Sequence, residues 1–428
     1  MHIFSDCLKN GLRLVTVQMP HLHSAEMVCY VGVGGRNEAP ESAGISHFVE
    51  HMLFRGCEGY PDSTLLERAF EDLGGAVNAT TDVETTCFFS RLHPERLEEG
   101  AALFASLLRK PLWSSPETER KIILEEARED WNEQGEMINP DTLTNALLWP
   151  DCSLGQPLIG TCQSLEQIQL AQLRDYHERF YTPANTVITL SGRVDHQRAL
   201  RAVEAAFGDW HGAAPPAVAG VLPRAPEGPP QQVWAPDSSS QLSLQFALQL
   251  PWGRKVDESF TMRIWRRILS WGGTSRLMLR LREELGLTYH VEASLNLLDE
   301  TGSLAIDLSI RPDCLVQVVK EVLAIFREMV DEPVSAEELE RTLRNFRYDI
   351  DYSRDLPEEM AVRFGWGELV GFRRSLEEDL QAAEAMTAEK LQQLARDILQ
   401  PGRLALAVIG PWREEDRTQV EHLLLNPF

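Results

Sequence analysis

A chain of 428 residues is longer than one ordinary domain and suits two of roughly 200 residues each. Apolar residues make up 43% and charged residues 25%, which supports a sizeable core and excludes a disordered chain. The net charge of −24, from 65 acidic and 41 basic residues, repels nucleic acid and favours cationic partners such as basic peptides, as well as serving solubility.

The first residues, Met1 to Gly11, lack the charged start and long apolar stretch of a signal peptide. No apolar run approaches the ~18 residues of a membrane span. The expectation is a cytoplasmic chain without a membrane partner. The seven cysteines (Cys7, Cys29, Cys57, Cys87, Cys152, Cys162 and Cys314) are scattered and form no CxxC, so neither a disulfide framework nor a cysteine metal site is expected.

Apolar patterning predicts strands over 12–18 and 25–33. Residues 43–57 then read as a buried helix, with Ile45, Phe48, Val49, Met52 and Leu53 apolar and Gly56 placed to end it. Within it, His47 and His51 are i and i+4, so both imidazoles leave one face. Two nitrogens at that spacing can share one zinc ion at about 2.0–2.1 Å each. Glu50 precedes the second histidine on the same side, where it can act as general base without being a ligand. This is an H-x-x-E-H arrangement. The competing reading is a chance grouping in a core helix.

A strand over 85–92 and a helix over 95–108 follow. A second charged helix begins near Pro116 and carries Glu119, Glu125, Glu126 and Glu129. A catalytic zinc needs a third protein ligand, often a carboxylate. Glu119 and Glu126 are two helical turns apart on one face, so one could orient a ligand while the other binds metal. The residues alone leave Glu125, Glu126 and Glu129 open as the ligand, and an ordinary solvated acidic face is the other meaning of such a run.

Residues 212–229, rich in Ala, Pro and Gly, read as a linker between a domain over 1–211 and one over 230–428. The halves read as repeats. In the second, strands over 241–248, 289–297 and 302–310 precede a long helix over 314–330 and a charged helix from about Ser335, in the order of the first half. The fold class expected is α+β: two tandem homologous domains, each a mainly antiparallel sheet with helices packed on one face. The second half repeats no metal motif. No histidine lies between Val256 and Tyr289, and the helix that would answer to Glu126 carries Asn345, Phe346 and Arg347. The glycine-rich Gly272-Gly-Thr-Ser-Arg lacks the lysine of a phosphate loop, and 277–284 reads as a solvated helix face.

Four stretches together resemble the pitrilysin-type (M16, insulinase-like) metallopeptidases, nearest the short subfamily that includes mitochondrial processing peptidase and its bacterial relatives. They are Gly32–Glu38 with Gly44–Gly56; Leu73–Thr86; Pro157–Thr161 with Tyr181–Gly192; and Gly272–Leu277 with Leu281–Tyr289. The resemblance implies a zinc endopeptidase. Its third ligand, about 75 residues past the second histidine, falls on Glu126, and a supporting glutamate falls on Glu119. It implies an exposed strand edge at Asn78-Ala79-Thr80 that pairs with extended substrate, with Asn78 and Ala79 as contacts.

It also implies half of a four-domain clamshell, hence a homodimer, or a heterodimer with a paralogue, whose opposing C-terminal half supplies an Arg/Tyr pair. The strand 302–307, where that arginine is expected, has none. Tyr289 and Arg311 lie nearby in sequence, and a paralogue supplying the pair is the resulting expectation. A non-catalytic subunit of a peptidase pair is the alternative, against which the full set His47, Glu50, His51 and Glu126 argues.

Overall fold

The computed structural model describes residues 1–428 apart from Asp151, Ala219, Arg224 and Pro226. Among the described residues, eleven strands form two sheets: β1 His2–Cys7, β2 Arg13–Gln18, β3 Ala25–Val31, β4 Val77–Thr81, β5 Thr86–Leu92, β6 Thr186–Gly192, β7 Gln231–Ala235, β8 Leu242–Leu250, β9 Thr288–Leu297, β10 Gly302–Ile310 and β11 Leu404–Ile409. The first sheet has the order β1-β2-β6-β3-β5-β4 and the second β7-β11-β8-β10-β9. In each, one pair is parallel (β2 with β6, β7 with β11) and the rest are antiparallel. Apart from β1, the two sheets have the same order and sense, which is the structural form of the repeat.

The strand period of two explains the layers. In the first sheet Ala25, Met27, Cys29 and Val31 of β3, with Ile188 and Leu190 of β6, face the main core. Against them pack Phe48, Val49 and Met52 of the helix Ile45–Leu53, Phe104 and Leu108 of Leu97–Arg109, and Val203 and Phe207 of His196–Phe207. The alternate residues are buried as well, so β3 and β6 show no exposed side. Residues 350–375 cover them: Ser191 Oγ donates to Pro357 O at 2.6 Å, and a Cβ on Gly365 would stand 1.9 Å from Thr189 Oγ1. Only glycine permits that approach.

The chain accordingly forms two compact units that are not contiguous in sequence, with one changeover inside 212–229 and others elsewhere. One comprises Met1–Ala127, Gln156–Val218 and Ile350–Ser375; the other comprises Arg128–Gly155, Ala219–Asp349 and Leu376–Phe428. The reason is coverage of the second sheet face. In the second unit that role falls to the helix Pro140–Leu148, where Thr144 donates to Gln245 and Gln249 Nε2 donates to Leu148 O at 2.9 Å. Polar Gln245 and Gln249 are fully buried in β8, and these bonds satisfy them. The described residues of 212–229 form no helix or strand; residues 219, 224 and 226 lie outside the described set. Among the described residues no helix is long and apolar enough to cross a membrane.

Candidate metal centre

The metal motif sits on the helix Ile45–Leu53, whose start is fixed by two devices. Gly44 adopts φ +88°, and a Cβ there would meet Ile159 O at 2.4 Å, so the Pro157–Thr161 stretch presses against this turn. The buried Glu38 carboxylate accepts from the N–H groups of Gly44 (2.6 Å) and Ser46 (2.8 Å), satisfying donors that no helical carbonyl can reach. Burial pushes the Glu38 pKa up to about 7 against these bonds.

His47 and His51 project together, with their Nε2 atoms 3.1 Å apart. His51 Nδ1 donates to Glu119 Oε1 at 2.8 Å, which leaves its Nε2 as a lone pair. Glu126 places Oε2 3.6 Å from His51 Nε2 and Oε1 3.8 Å from His47 Nε2. One ligand atom from each of His47, His51 and Glu126 lies within 4.8 Å of the others. Two nitrogens bound to one zinc at about 2.0–2.1 Å stand roughly 3.3 Å apart in tetrahedral geometry, so this donor set fits such an ion. Glu125 and Glu129 are outside the cluster.

The electrostatics suit a cation. Burial, reinforced by the neighbouring His51, lowers the His47 pKa to about 4, so the ring is neutral and able to ligate. Burial alone would lower His51 too, but its hydrogen bond to Glu119 and the charges of Glu119, Glu126 and Glu50 outweigh it and raise the pKa. Glu119 is itself buried, yet bonds from His51 and Arg55 hold its pKa down, so it stays a carboxylate. Glu50 is buried beside the pair, and burial raises its pKa despite a hydrogen bond from Thr81. That shift moves a glutamate toward the range useful for proton transfer near neutral pH.

Of the two candidate substrate contacts, Asn78 is exposed and Ala79 packs inward, on β4. β4 ends the sheet, so its outer edge has no strand partner among the described residues. Thr81, at the end of that strand, ties it to Glu50.

The structure adds residues that the sequence reading did not single out. Glu38 caps the metal helix, Arg55 holds Glu119, and Thr81 holds Glu50. Arg55 stands four residues past His51, a spacing that could have signalled its place on the same face. In the second unit, Arg311 is engaged with Asp313. Arg282 pairs with Glu283 at 3.5 Å and lies with its guanidinium carbon 5.1 Å from the centre of the Tyr289 ring; Tyr289 is 83% exposed at the start of β9. This arginine–tyrosine contact spans Gly286 (φ +60°).

A family profile described as "Insulinase (Peptidase family M16)" matches residues 13–161, and one described as "Peptidase M16 inactive domain" matches residues 167–346. The chain belongs to the M16 peptidase family. All three candidate metal donors fall in the first match. An uncharacterized zinc protease of Mycobacterium tuberculosis is 29% identical over 417 residues, covering 94% of this chain and 92% of its own. A protease from Helicobacter pylori has a similar fold, with TM-score 0.88 and 18% identity over 96% of this chain and 99% of its own. The periplasmic protease PqqL of Escherichia coli matches with TM-score 0.77 and 19% identity, over 99% of this chain but 50% of its own.

Proposed function

We propose that the chain is a zinc-dependent endopeptidase that hydrolyses peptides or unfolded segments, basic leader or targeting peptides among them. The observation that carries this is the convergence of His47, His51 and Glu126 beside the buried carboxylate of Glu50. The name zinc protease borne by its relatives supports it.

His47, His51 and Glu126 would hold the ion, which when bound would act as a Lewis acid toward the scissile carbonyl and water. Glu119 and Arg55 keep His51 in the tautomer that offers Nε2. Glu50, oriented by Thr81, takes the proton of the attacking water and delivers it to the leaving amine. The free edge of β4 adds an extended substrate as a further strand, with Asn78 and Ala79 beside it, giving affinity from main-chain bonds.

The chain matches half the length of PqqL, which supports pairing of two chains around one chamber. Arg282 and Tyr289 would supply the donors that hold the developing oxyanion from the opposing chain. Because this chain carries such a pair itself, a homodimer meets the requirement without a paralogue. The test is cleavage of a quenched basic peptide by the purified chain, with and without chelator. Chelator-sensitive cleavage is expected. A metal-loaded homodimer that cleaves no peptide would overturn the reading in favour of a non-catalytic subunit.

A further inference from the structure

We propose that the first unit carries a second binding site, distinct from the metal centre, for a small aromatic anion: a flat ring bearing a carboxylate or phosphate. A cavity of about 560 Å³ opens between the end of the helix Leu97–Arg109, the helix Leu170–Phe180 and the residues that follow His196–Phe207. Its size falls within the roughly 300–1,000 Å³ typical of small-molecule sites.

One wall is aromatic. The His177 ring stacks on Tyr181 at 4.6 Å between centres and meets Trp113 edge-on at 5.3 Å, with Trp210 also on the wall. His177 is buried and donates Nε2–H to Leu108 O at 2.8 Å, and burial lowers its pKa to about 4. The ring is therefore neutral, and this wall offers aromatic faces in place of charge.

The rest of the lining is cationic. Arg109, Lys110 and Arg174 contribute three positive side chains against one carboxylate, Glu178. In a chain of net charge −24, such a concentration runs against the average surface. Arg109 donates to Ala206 O and pairs with Asp209 at 2.8 Å, but its Nε is buried without a hydrogen-bond partner. Lys110 pairs with Glu58. Asp209 and Glu58 have side chains 80% and 63% exposed and are not among the residues that line the cavity. Arg174 has no ion-pair partner among the described residues.

The backbone supplies an independent sign of a built site. Trp113 has φ +57° and Ser115 φ +54°, the two non-glycine residues of the described chain in this region. A bulky side chain rarely adopts the left-handed region, and such strain persists where the surroundings enforce a particular placement. Here it sets the Trp113 indole against His177 at the cavity wall.

The experiment titrates the full-length chain with phenyl phosphate, read by calorimetry and by tryptophan fluorescence. Saturable binding of one molecule per chain is expected. Arg174→Glu, an exposed change that leaves the fold intact by circular dichroism, should weaken it about tenfold or more through loss of a charge-assisted hydrogen bond. Benzyl alcohol, without the charge, and inorganic phosphate, without the ring, should each bind at least about tenfold more weakly for the same reason and for loss of stacking. Absence of saturable binding, unchanged affinity in Arg174→Glu, or equal binding of inorganic phosphate would overturn the proposal. Binding by a chain that cleaves no peptide would support this site while overturning the peptidase reading.

Discussion

The two units use the same place in the same topology for opposite purposes. In the first, the helix Ile45–Leu53 follows β3, contacts β4 through Glu50 and Thr81, and turns two imidazoles toward Glu126. In the second, the helix Asp257–Ser270 follows β8 and contacts β9 through Arg266, which donates to Ala293 O at 3.1 Å. It turns Arg267 toward Asp349 of the charged helix Ala336–Ser353. The Arg267 guanidinium also lies 4.2 Å from the centre of the Trp271 ring. One unit thus gathers two imidazoles and a carboxylate around room for a cation. The other fills the corresponding position with a cation of its own, already paired and stacked. The same scaffold carries a candidate metal site or a packed face according to a few side chains, which is why fold alone does not assign activity.

The largest effect that sharpens this contrast is at Glu50. Glu50→Gln should lower peptide cleavage by about 10²–10⁴-fold while metal content stays unchanged, because general-base catalysis is lost and the ligands are not. Cleavage by the variant at the wild-type rate would remove Glu50 from the chemistry. Next comes the second unit's contribution. Tyr289→Phe should reduce kcat by about 10²-fold, as loss of one oxyanion donor does, again with zinc retained. An unchanged kcat would leave the second unit a passive wall.

A smaller effect is expected with pH. Burial lowers the pKa of His177 in the first unit to about 4, below its ordinary value of 6.5. The unfolded chain therefore binds more protons between these values, so His177 contributes stability that is complete above pH ~6.5 and is lost as pH falls toward ~4. Denaturant unfolding should show a loss of roughly 2 kcal/mol between pH 8 and pH 5 from this group. A His177→Gln variant should show a flatter profile; an identical slope would refute the assignment. The smallest effect is at Arg267. Its partner Asp349 is over a third exposed, so solvent screens the pair, and Arg267→Ala should cost about 1 kcal/mol. Metal content should not change, and any loss of zinc would break the separation of roles between the units.

How much of this was legible in the sequence follows from range. His47 and His51 could be paired on one helix face because the i, i+4 relation is local. Glu126 could not be separated from Glu125 and Glu129 by residues alone, since neighbouring carboxylates on one helix differ only in what lies across from them. Here that is His47 and His51, some 75 residues earlier in the chain. The strands β2, β3, β5, β8, β9 and β10 were visible as apolar or alternating runs. The edge strand β4, Val-Asn-Ala-Thr-Thr, was not read as a strand from its pattern, because it carries little apolar content and buries only part of each side chain.

The exchange of residues 128–155 and 350–375 was not legible either. Nothing local marks which sheet's second face a short helix will cover. No arginine lies on the strand 302–307, and the contact of Arg282 with Tyr289 depends on a turn at Gly286 that spacing alone does not reveal.

The most direct test of the central claim is zinc stoichiometry by elemental analysis, on the purified chain and on His51→Ala. The account predicts about one zinc per chain, removed by chelator and lost in the variant, since among the described residues only the first unit gathers the donors. No zinc in the intact chain, or zinc retained undiminished by His51→Ala, would contradict it.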